Sequence, residues 1–255
     1  MNKRTVIDLF AGAGGLSTGL ELAGFNVLWA NEVMPIYSES LRYNHPQTIV
    51  ETGDIREVNA LKVRKSLGLD PGDLDLLAGG PPCQGFSINA PLRSSQDERN
   101  HLFVEFLRFV EELQPKTVLI ENVPGIVSFS SGGTVHAILN ALETLGYEAD
   151  LKILYAAHYG VPQMRWRAIF VGSRLPVDPT CFFPEPTHKA IGRANFRTNY
   201  KGQMLVYDDA HITKYSRGAY INVMEAISDL PEIKNGGTSK GFKSKRNKKH
   251  YPYGD

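Results

Sequence analysis

The chain has 255 residues, of which 42% are hydrophobic and 22% are charged, and its net charge is +1. This composition is typical of a globular protein with one large core, and it excludes a disordered chain, which would contain fewer apolar residues. The absence of any run of about 18 apolar residues excludes a membrane-spanning helix. Two cysteines, Cys83 and Cys181, cannot form a disulfide framework or a four-ligand zinc site, which indicates a reducing, cytosolic setting.

Short apolar runs alternate with helical patterns along the first two thirds of the chain. The predicted strands are Thr5–Phe10, Asn26–Asn31, Ile49–Thr52, Leu74–Ala78 and Thr117–Glu121, and the predicted helices are Leu16–Ala23, Pro35–Tyr43, Leu102–Leu113 and Thr134–Leu145. Strands that alternate with helices indicate an α/β fold with a mostly parallel sheet. Two further runs, 147–156 and 168–173, have no helical pattern between them and predict an antiparallel hairpin at the sheet edge. We therefore expect six or seven strands.

The composition changes after about residue 175. Prolines and aromatic residues dominate 176–233, where one short helical pattern covers Val223–Leu230. The last segment, 234–255, contains seven Lys or Arg and predicts a mobile basic tail. We expect 1–175 to form a cofactor-binding and catalytic domain, followed by an extension and the tail. Residues 1–188 carry 15 basic and 21 acidic side chains, whereas 189–255 carry 13 and 6, so the second part either contacts a polyanion or is a solvated surface.

A glycine-rich turn follows the first predicted strand, at residues 8–17 (Asp-Leu-Phe-Ala-Gly-Ala-Gly-Gly-Leu-Ser). Glycines allow a sharp turn there and let a ligand approach the amides at the start of the next helix. Glu32 ends the second strand 18 residues after Gly14, a position suited to ribose hydroxyls. These residues indicate a nucleoside cofactor, but a turn that only packs the helix on the sheet, or an NAD site, remains open.

A second motif, residues 79–87 (Gly-Gly-Pro-Pro-Cys-Gln-Gly-Phe-Ser), lies at the carboxyl end of the fourth strand, where open α/β sheets bind ligands. A free cysteine is usually an inert buried residue, and Cys181 fits that description. The stiff, Gly-Pro-rich setting of Cys83 instead favours a nucleophile.

The third and fourth motifs supply charged side chains. Glu121 ends the fifth strand, where it could handle a proton beside Cys83 if the fourth and fifth strands are neighbours; alternatively it caps a turn. Arg165 and Arg167 alternate in the hairpin connection and could bind a phosphate or a carboxylate, although surface arginines are common.

In order and spacing, these four motifs resemble the cytosine-C5 DNA methyltransferases over about residues 4–174. The resemblance implies a Rossmann-like fold, S-adenosylmethionine as cofactor, no metal, and methyl transfer to C5 of a flipped cytosine in duplex DNA through a covalent cysteine adduct. It assigns Cys83 as the nucleophile, Glu121 as the residue facing cytosine, and Arg165 and Arg167 as its supports. The residues that it assigns to the cofactor are Phe10, Ala11, Gly12, Gly14, Gly15, Glu32, Asp54, Ile55, Pro82 and Leu102. Among these, it places Phe10 and Asp54 at the adenine and Glu32 at the ribose.

Two family segments, a variable target-recognition region and a final conserved segment, are not visible after residues 226–231. This favours the larger subunit of a split enzyme, with recognition supplied by a second polypeptide, or a fragment of a longer chain, over a short altered member. A tRNA methyltransferase and a non-catalytic nucleic-acid-binding protein are the alternatives. Residues 85–87 (Gly-Phe-Ser) favour DNA over tRNA, and the resemblance indicates a bacterial or phage restriction-modification system.

Overall fold

A computed structural model describes residues 3–82, 101–178 and 181–230. In these residues, a seven-stranded sheet has the strand order β3-β2-β1-β4-β5-β7-β6. The strands are β1 (Arg4–Leu9), β2 (Phe25–Glu32), β3 (Ile49–Thr52), β4 (Leu76–Gly79), β5 (Thr117–Asn122), β6 (Glu148–Tyr155) and β7 (Trp166–Ser173). The five predicted strands of the first half are thus present, within two residues at each end.

The sheet combines parallel and antiparallel pairing. Strands β1 to β5 pair in parallel, and β7 pairs antiparallel with β5, where Glu121 lies opposite Ile169. Strand β6 follows β7 at the edge. All four residues of β4 are buried, as expected of a central strand that is covered on both faces. The prediction of a mostly parallel α/β sheet with antiparallel strands at one edge is confirmed.

Helices lie in the connections between the first six strands. They are α1 (Gly15–Leu22), α2 (Pro35–Asn44), α3 (Ala60–Ser66), α4 (His101–Leu113) and α5 (Gly133–Thr144). Of these, α3 was not predicted, because in seven residues it buries only Ala60 and Val63. Its start is fixed by Asn59, whose side chain accepts a hydrogen bond from the Lys62 amide at 3.0 Å.

The core between helices and sheet is built from large apolar side chains. Phe106 and Phe109 of α4 are fully buried, and Phe109 stacks on Trp29 of β2 with ring centroids 6.0 Å apart. Ile7 and Leu9 of β1 are likewise fully buried. These contacts pack the core against the central strands, and the carboxyl ends of β1, β2, β4 and β5 lie at one edge of the sheet.

The chain divides into two compact units. The first contains Met1–Ile153, Arg167–Phe183 and Asn195–Val206, including two short paired strands, β9 (Asn199–Tyr200) and β10 (Gln203–Met204). The second contains Leu154–Trp166, Pro184–Ala194 and the chain from Tyr207 onward.

In the second unit, β8 (His188–Lys189) pairs with β11 (Gly218–Ala219). This unit also contains two helices, α6 (Asp209–Tyr215) and α7 (Val223–Ile227). Helix α6 was not predicted, whereas α7 lies inside the predicted 223–230 pattern. Within the ranges that the structure describes, no helix is both long and apolar enough to cross a membrane. The proposed basic tail, 234–255, lies outside those ranges.

Candidate active site

The turn between β1 and α1 depends on left-handed backbone. Phe10, Gly12 and Gly14 have φ values of 59°, 59° and 93°. At Gly14 a side chain is also sterically excluded, because a Cβ atom there would lie 2.6 Å from Nε2 of His45. The turn is tied to β2 by the Gly12 amide, which donates to Oε2 of Glu32 at 2.9 Å. The glycines predicted at this turn therefore shape it.

Asp8 supports this turn from inside the protein. Its Oδ2 accepts a hydrogen bond from the Ser17 hydroxyl at 2.6 Å, and its carboxylate also accepts from the Ser17 amide in the first turn of α1. Complete burial raises the pKa of Asp8 to about 7, against the opposing effect of the bonds from Ser17. The four sequence motifs give Asp8 no role of its own; the signal for one is the glycine at the N-cap, which has no side chain to cap the helix.

A cavity of about 430 Å³ opens at the carboxyl edge of the sheet. Six of the predicted cofactor residues line it: Phe10, Glu32, Asp54, Ile55, Pro82 and Leu102. Ala11, Gly12, Gly14 and Gly15 do not line it but form the turn beside it. Four lining residues were not predicted: Asn31, Val33, Arg56 and Gly80. The volume lies in the range of small-molecule sites.

Glu32 presents an ordered carboxylate to this cavity. It is 7% exposed; Oε2 accepts from the Gly12 amide, and Oε1 accepts from the Met34 amide at 2.8 Å. Each carboxylate oxygen has a second lone pair, so Glu32 can still accept hydrogen bonds from ligand hydroxyls. Its two backbone partners hold it in position before any ligand binds.

Asp54 is the second carboxylate of the cavity. Its carboxylate accepts from the Arg56 guanidinium, and Oδ1 also accepts from the Arg56 amide at 2.9 Å; these bonds lower the pKa of Asp54. The side chain is therefore an ionised acceptor. The buried side chain of Asn31 fixes the preceding backbone by donating to the Gly53 carbonyl at 3.0 Å. Only the fold reveals this contact, which joins residues 22 positions apart in the sequence.

The ends of β4 and β5 lie side by side. Glu121 was expected to act beside Cys83 only if these two strands are neighbours, and they are. Gly79 pairs with Ile120 in the parallel register. A Cβ atom at Gly80 would lie 3.3 Å from Oε2 of Glu121, so the lack of a side chain at Gly80 leaves room for this carboxylate. Cys83 lies outside the described residues, three positions along the chain from Gly80.

Arg167 binds Glu121 from the opposite side. Its Nε donates to Oε1 of Glu121 across the antiparallel pair β5–β7. Both side chains are partly exposed, at 23% for Arg167 and 31% for Glu121, so the pair remains open to a ligand. Arg165 belongs to the second compact unit, whereas Arg167 belongs to the first. Among the described residues, no three His, Cys, Asp or Glu side chains could hold a metal ion together.

This sheet order, with the cavity at its carboxyl edge, defines the class of Rossmann-like S-adenosylmethionine-dependent methyltransferases. Within that class, the chain belongs to the C-5 cytosine-specific DNA methylase family, which it matches over residues 4–252. The match extends well beyond residue 174, the limit of the resemblance expected from the four motifs. S-adenosylmethionine is the methyl donor of this family.

Proteins similar to this chain have names that are consistent with this family. The chain is 40% identical to the type II methyltransferase M.AgeI of Thalassovita gelatinovora over 89% of its own length and 51% of the relative. It is 35% identical to M.AquIA of a Picosynechococcus strain, over 90% of each protein. The crystal structure of a DNA modification methyltransferase encoded within an E. coli prophage matches 90% of the chain and 56% of that protein, with a TM-score of 0.65 and 30% identity. The chain thus spans about half the length of two of these three proteins.

Proposed function

We propose that this protein is a DNA (cytosine-5-)-methyltransferase that transfers a methyl group from S-adenosylmethionine to C5 of cytosine in duplex DNA. One observation carries the proposal: Gly80 both lines the ligand-sized cavity and lies against the Glu121 carboxylate. A cofactor in the cavity would therefore lie next to the carboxylate that the family places at the cytosine. Membership of a DNA methylase family favours DNA over the tRNA alternative.

The cavity residues fit the cofactor. Phe10 and Ile55 offer apolar surface to the adenine, and the ionised Asp54 carboxylate can accept from its amino group. Glu32 can accept from the two ribose hydroxyls through its remaining lone pairs. When bound, S-adenosylmethionine supplies the methyl group that C5 acquires and leaves as S-adenosylhomocysteine. The amides of the glycine turn lie next to this site.

The chemistry requires electron density at C5, which is a poor nucleophile. In the proposed mechanism, the Cys83 thiolate adds to C6 and forms an S–C6 bond as the C5=C6 π bond opens, while Glu121 in its protonated form donates a hydrogen bond to N3 and stabilises the charge that develops on the ring. Arg167 holds the Glu121 carboxylate in place. After methylation, water takes the C5 proton, the electron pair of the C5–H bond re-forms the C5=C6 double bond, and the S–C6 bond breaks to restore the thiolate. Because these groups must reach the ring, the cytosine is flipped out of the duplex.

The test uses duplex DNA that contains 5-fluorocytosine. Fluorine cannot leave C5 as a proton does, so methyl transfer should trap a covalent protein–DNA adduct on a denaturing gel. We expect the adduct with the wild type and with Cys181→Ser, which changes an exposed free cysteine, but not with Cys83→Ser. Preferential methylation of tRNA would contradict the DNA assignment. A folded chain that fails to bind S-adenosylhomocysteine would overturn the proposal as a whole.

We also propose that a second polypeptide supplies target recognition. From residue 181 to residue 230, the structure describes only strands of two residues and helices of seven and five residues, which offer little to read a DNA groove. In this proposal, residues 1–175 bind the cofactor and perform the chemistry, and 176–233 face the DNA. A chain that binds S-adenosylhomocysteine but gives no adduct alone would support it, and sequence-specific methylation by the chain alone would refute it.

The bacterial relatives and the free thiol of Cys181 support a further proposal, that the protein acts in the bacterial cytoplasm as part of a restriction-modification system. Fractionation of a host that expresses the chain, with the distribution measured by immunoblot, tests the location. Recovery in the periplasm would contradict it.

A further inference from the structure

Asn122 ends β5 directly after Glu121 and links this strand to the chain that follows β4. Its Nδ2 donates to the Pro81 carbonyl at 2.9 Å, and its Oδ1 accepts from the Val123 amide at 2.8 Å. The residue is 8% exposed, and the bond to Pro81 is buried. Both polar ends of the side chain are therefore engaged within the protein.

The bond to Pro81 acts on a stiff piece of backbone. Pro81 and Pro82 each have a ring that fixes φ near about −65°. They also lack amide protons, so neither can be held through an N–H donor. A bond to the Pro81 carbonyl orients the Pro81–Pro82 peptide plane, which is rigid, and Cys83 follows directly in the sequence.

We propose that Asn122 is a positioning residue for the nucleophile: it fixes the Pro81 carbonyl and thereby sets where the chain enters Cys83. The inference rests on the proposed function, because it concerns the same cysteine. It follows that two adjacent residues serve the two groups that act on the cytosine. Glu121 itself faces the base, and Asn122 orients the segment that carries the thiol. Loss of this bond should slow the covalent step and leave cofactor binding unchanged.

A purely structural role for Asn122 makes a different prediction, and Tyr147 provides the comparison. The Tyr147 hydroxyl also donates to a buried proline carbonyl, that of Pro115, at 2.7 Å. Burial raises the pKa of Tyr147 to about 12, so the hydroxyl remains a neutral donor. Pro115 precedes β5, at the end of the strand opposite Asn122. Tyr147→Phe therefore removes an equivalent bond far from the site along the same strand.

Three variants are compared: Asn122→Asp, Asn122→Ala and Tyr147→Phe. Asn122→Asp keeps the size of the side chain and the acceptor for Val123, but its ionised carboxylate cannot donate to Pro81. The rate of adduct formation with 5-fluorocytosine DNA is measured as a function of DNA concentration, together with the Kd of S-adenosylhomocysteine and the midpoint of urea unfolding. The chain is used alone or with the second polypeptide proposed above.

We expect the maximal adduct rate of Asn122→Asp at about pH 8 to fall roughly tenfold or more, while the KM for DNA and the Kd of S-adenosylhomocysteine stay within about twofold. Lowering the pH should restore the Asn122→Asp rate relative to wild type, because a protonated carboxyl group regains the donor. Asn122→Ala should be as slow and show no such recovery. Tyr147→Phe should unfold at lower urea and keep the wild-type adduct rate.

Three results would overturn the inference. If the wild type forms an adduct and both Asn122 variants form it as fast, the bond to Pro81 has no positioning role, although the proposed function stands. If Tyr147→Phe slows the adduct as much as the Asn122 variants do, the effect is one of general stability. Absence of any adduct from the wild type, both alone and with the second polypeptide, would remove the proposed function and this inference together. Should Asn122→Asp not fold, Asn122→Ala decides the question.

Discussion

We expect alanine to change the free energy of unfolding by three different amounts at three glycines of one turn. At Gly14, alanine would combine a φ of 93° with a Cβ atom 2.6 Å from His45 Nε2 and 2.7 Å from Leu41 Cδ1. His45 is 3% exposed and Leu41 is fully buried, so neither can move aside. A left-handed non-glycine residue costs about 1–2 kcal/mol and overpacking costs about 1–3 kcal/mol. Gly14→Ala should therefore lower the free energy of unfolding by roughly 2–5 kcal/mol.

The neighbouring glycines separate the cost of backbone strain from the cost of overpacking. Gly12 also has a positive φ, 59°, but nothing lies within 4 Å of its Cβ position, so Gly12→Ala should cost only the backbone strain of about 1–2 kcal/mol. At Gly15, neither a positive φ nor a close neighbour opposes alanine. Because Gly15 begins α1, Gly15→Ala should be neutral or stabilise the protein by up to about 1 kcal/mol.

Urea unfolding, followed by circular dichroism, measures all three variants under one set of conditions. The expected order of the unfolding midpoints is Gly15→Ala highest, Gly12→Ala next and Gly14→Ala lowest. A Gly14→Ala variant no less stable than Gly12→Ala would show that the contacts with His45 and Leu41 carry no steric cost. A Gly12→Ala variant as stable as Gly15→Ala would show that the positive φ carries no strain.

The remaining predictions concern charged groups. Glu32→Gln should weaken S-adenosylhomocysteine binding roughly tenfold, because a charged acceptor becomes neutral; calorimetry measures it, and an unchanged Kd would refute the role of Glu32. Burial raises the pKa of Asp8 to about 7, so the folded state holds this proton more tightly than the unfolded state. The contribution of Asp8 to stability is therefore complete at about pH 4 and is lost as the pH rises through about 7. Asp8→Asn should gain stability relative to wild type, on the order of a few kcal/mol, over that interval in urea unfolding; a pH-independent difference would refute it. Arg167→Lys should slow adduct formation about tenfold or more, because the guanidinium that orients Glu121 is lost, and an unchanged rate would refute that role.

The elements that sequence analysis predicted best are those whose pattern is local. Apolar runs located the strands, and a parallel sheet then brought Glu32, Asp54 and Glu121 to one edge. Helix α3 was missed because two buried residues in seven give too weak a periodicity. Helix α6 was missed for the same reason, since it buries only Ile212.

Contacts between distant residues could not be predicted from the sequence. The bonds from Asn31 to Gly53 and from Asn122 to Pro81 join residues 22 and 41 positions apart. Each depends on strand register, which the apolar pattern does not specify. The role of Arg56 was missed for a different reason: it lies two residues after Asp54, and its exposed position resembles that of an ordinary surface arginine.

Strand β5 lies between the parallel strand β4 and the antiparallel strand β7. The two strands that flank Glu121 therefore belong to separate stretches of the chain. The turn at Gly146, between α5 and β6, separates these stretches. A protein divided at this turn would carry the cofactor cavity and Glu121 on one fragment and Arg167 on the other. Edge pairing of β7 with β5 would then be what reconstitutes the site, so recovered methyl transfer would report fragment association. The strand order thus makes this fold suitable for a split reporter.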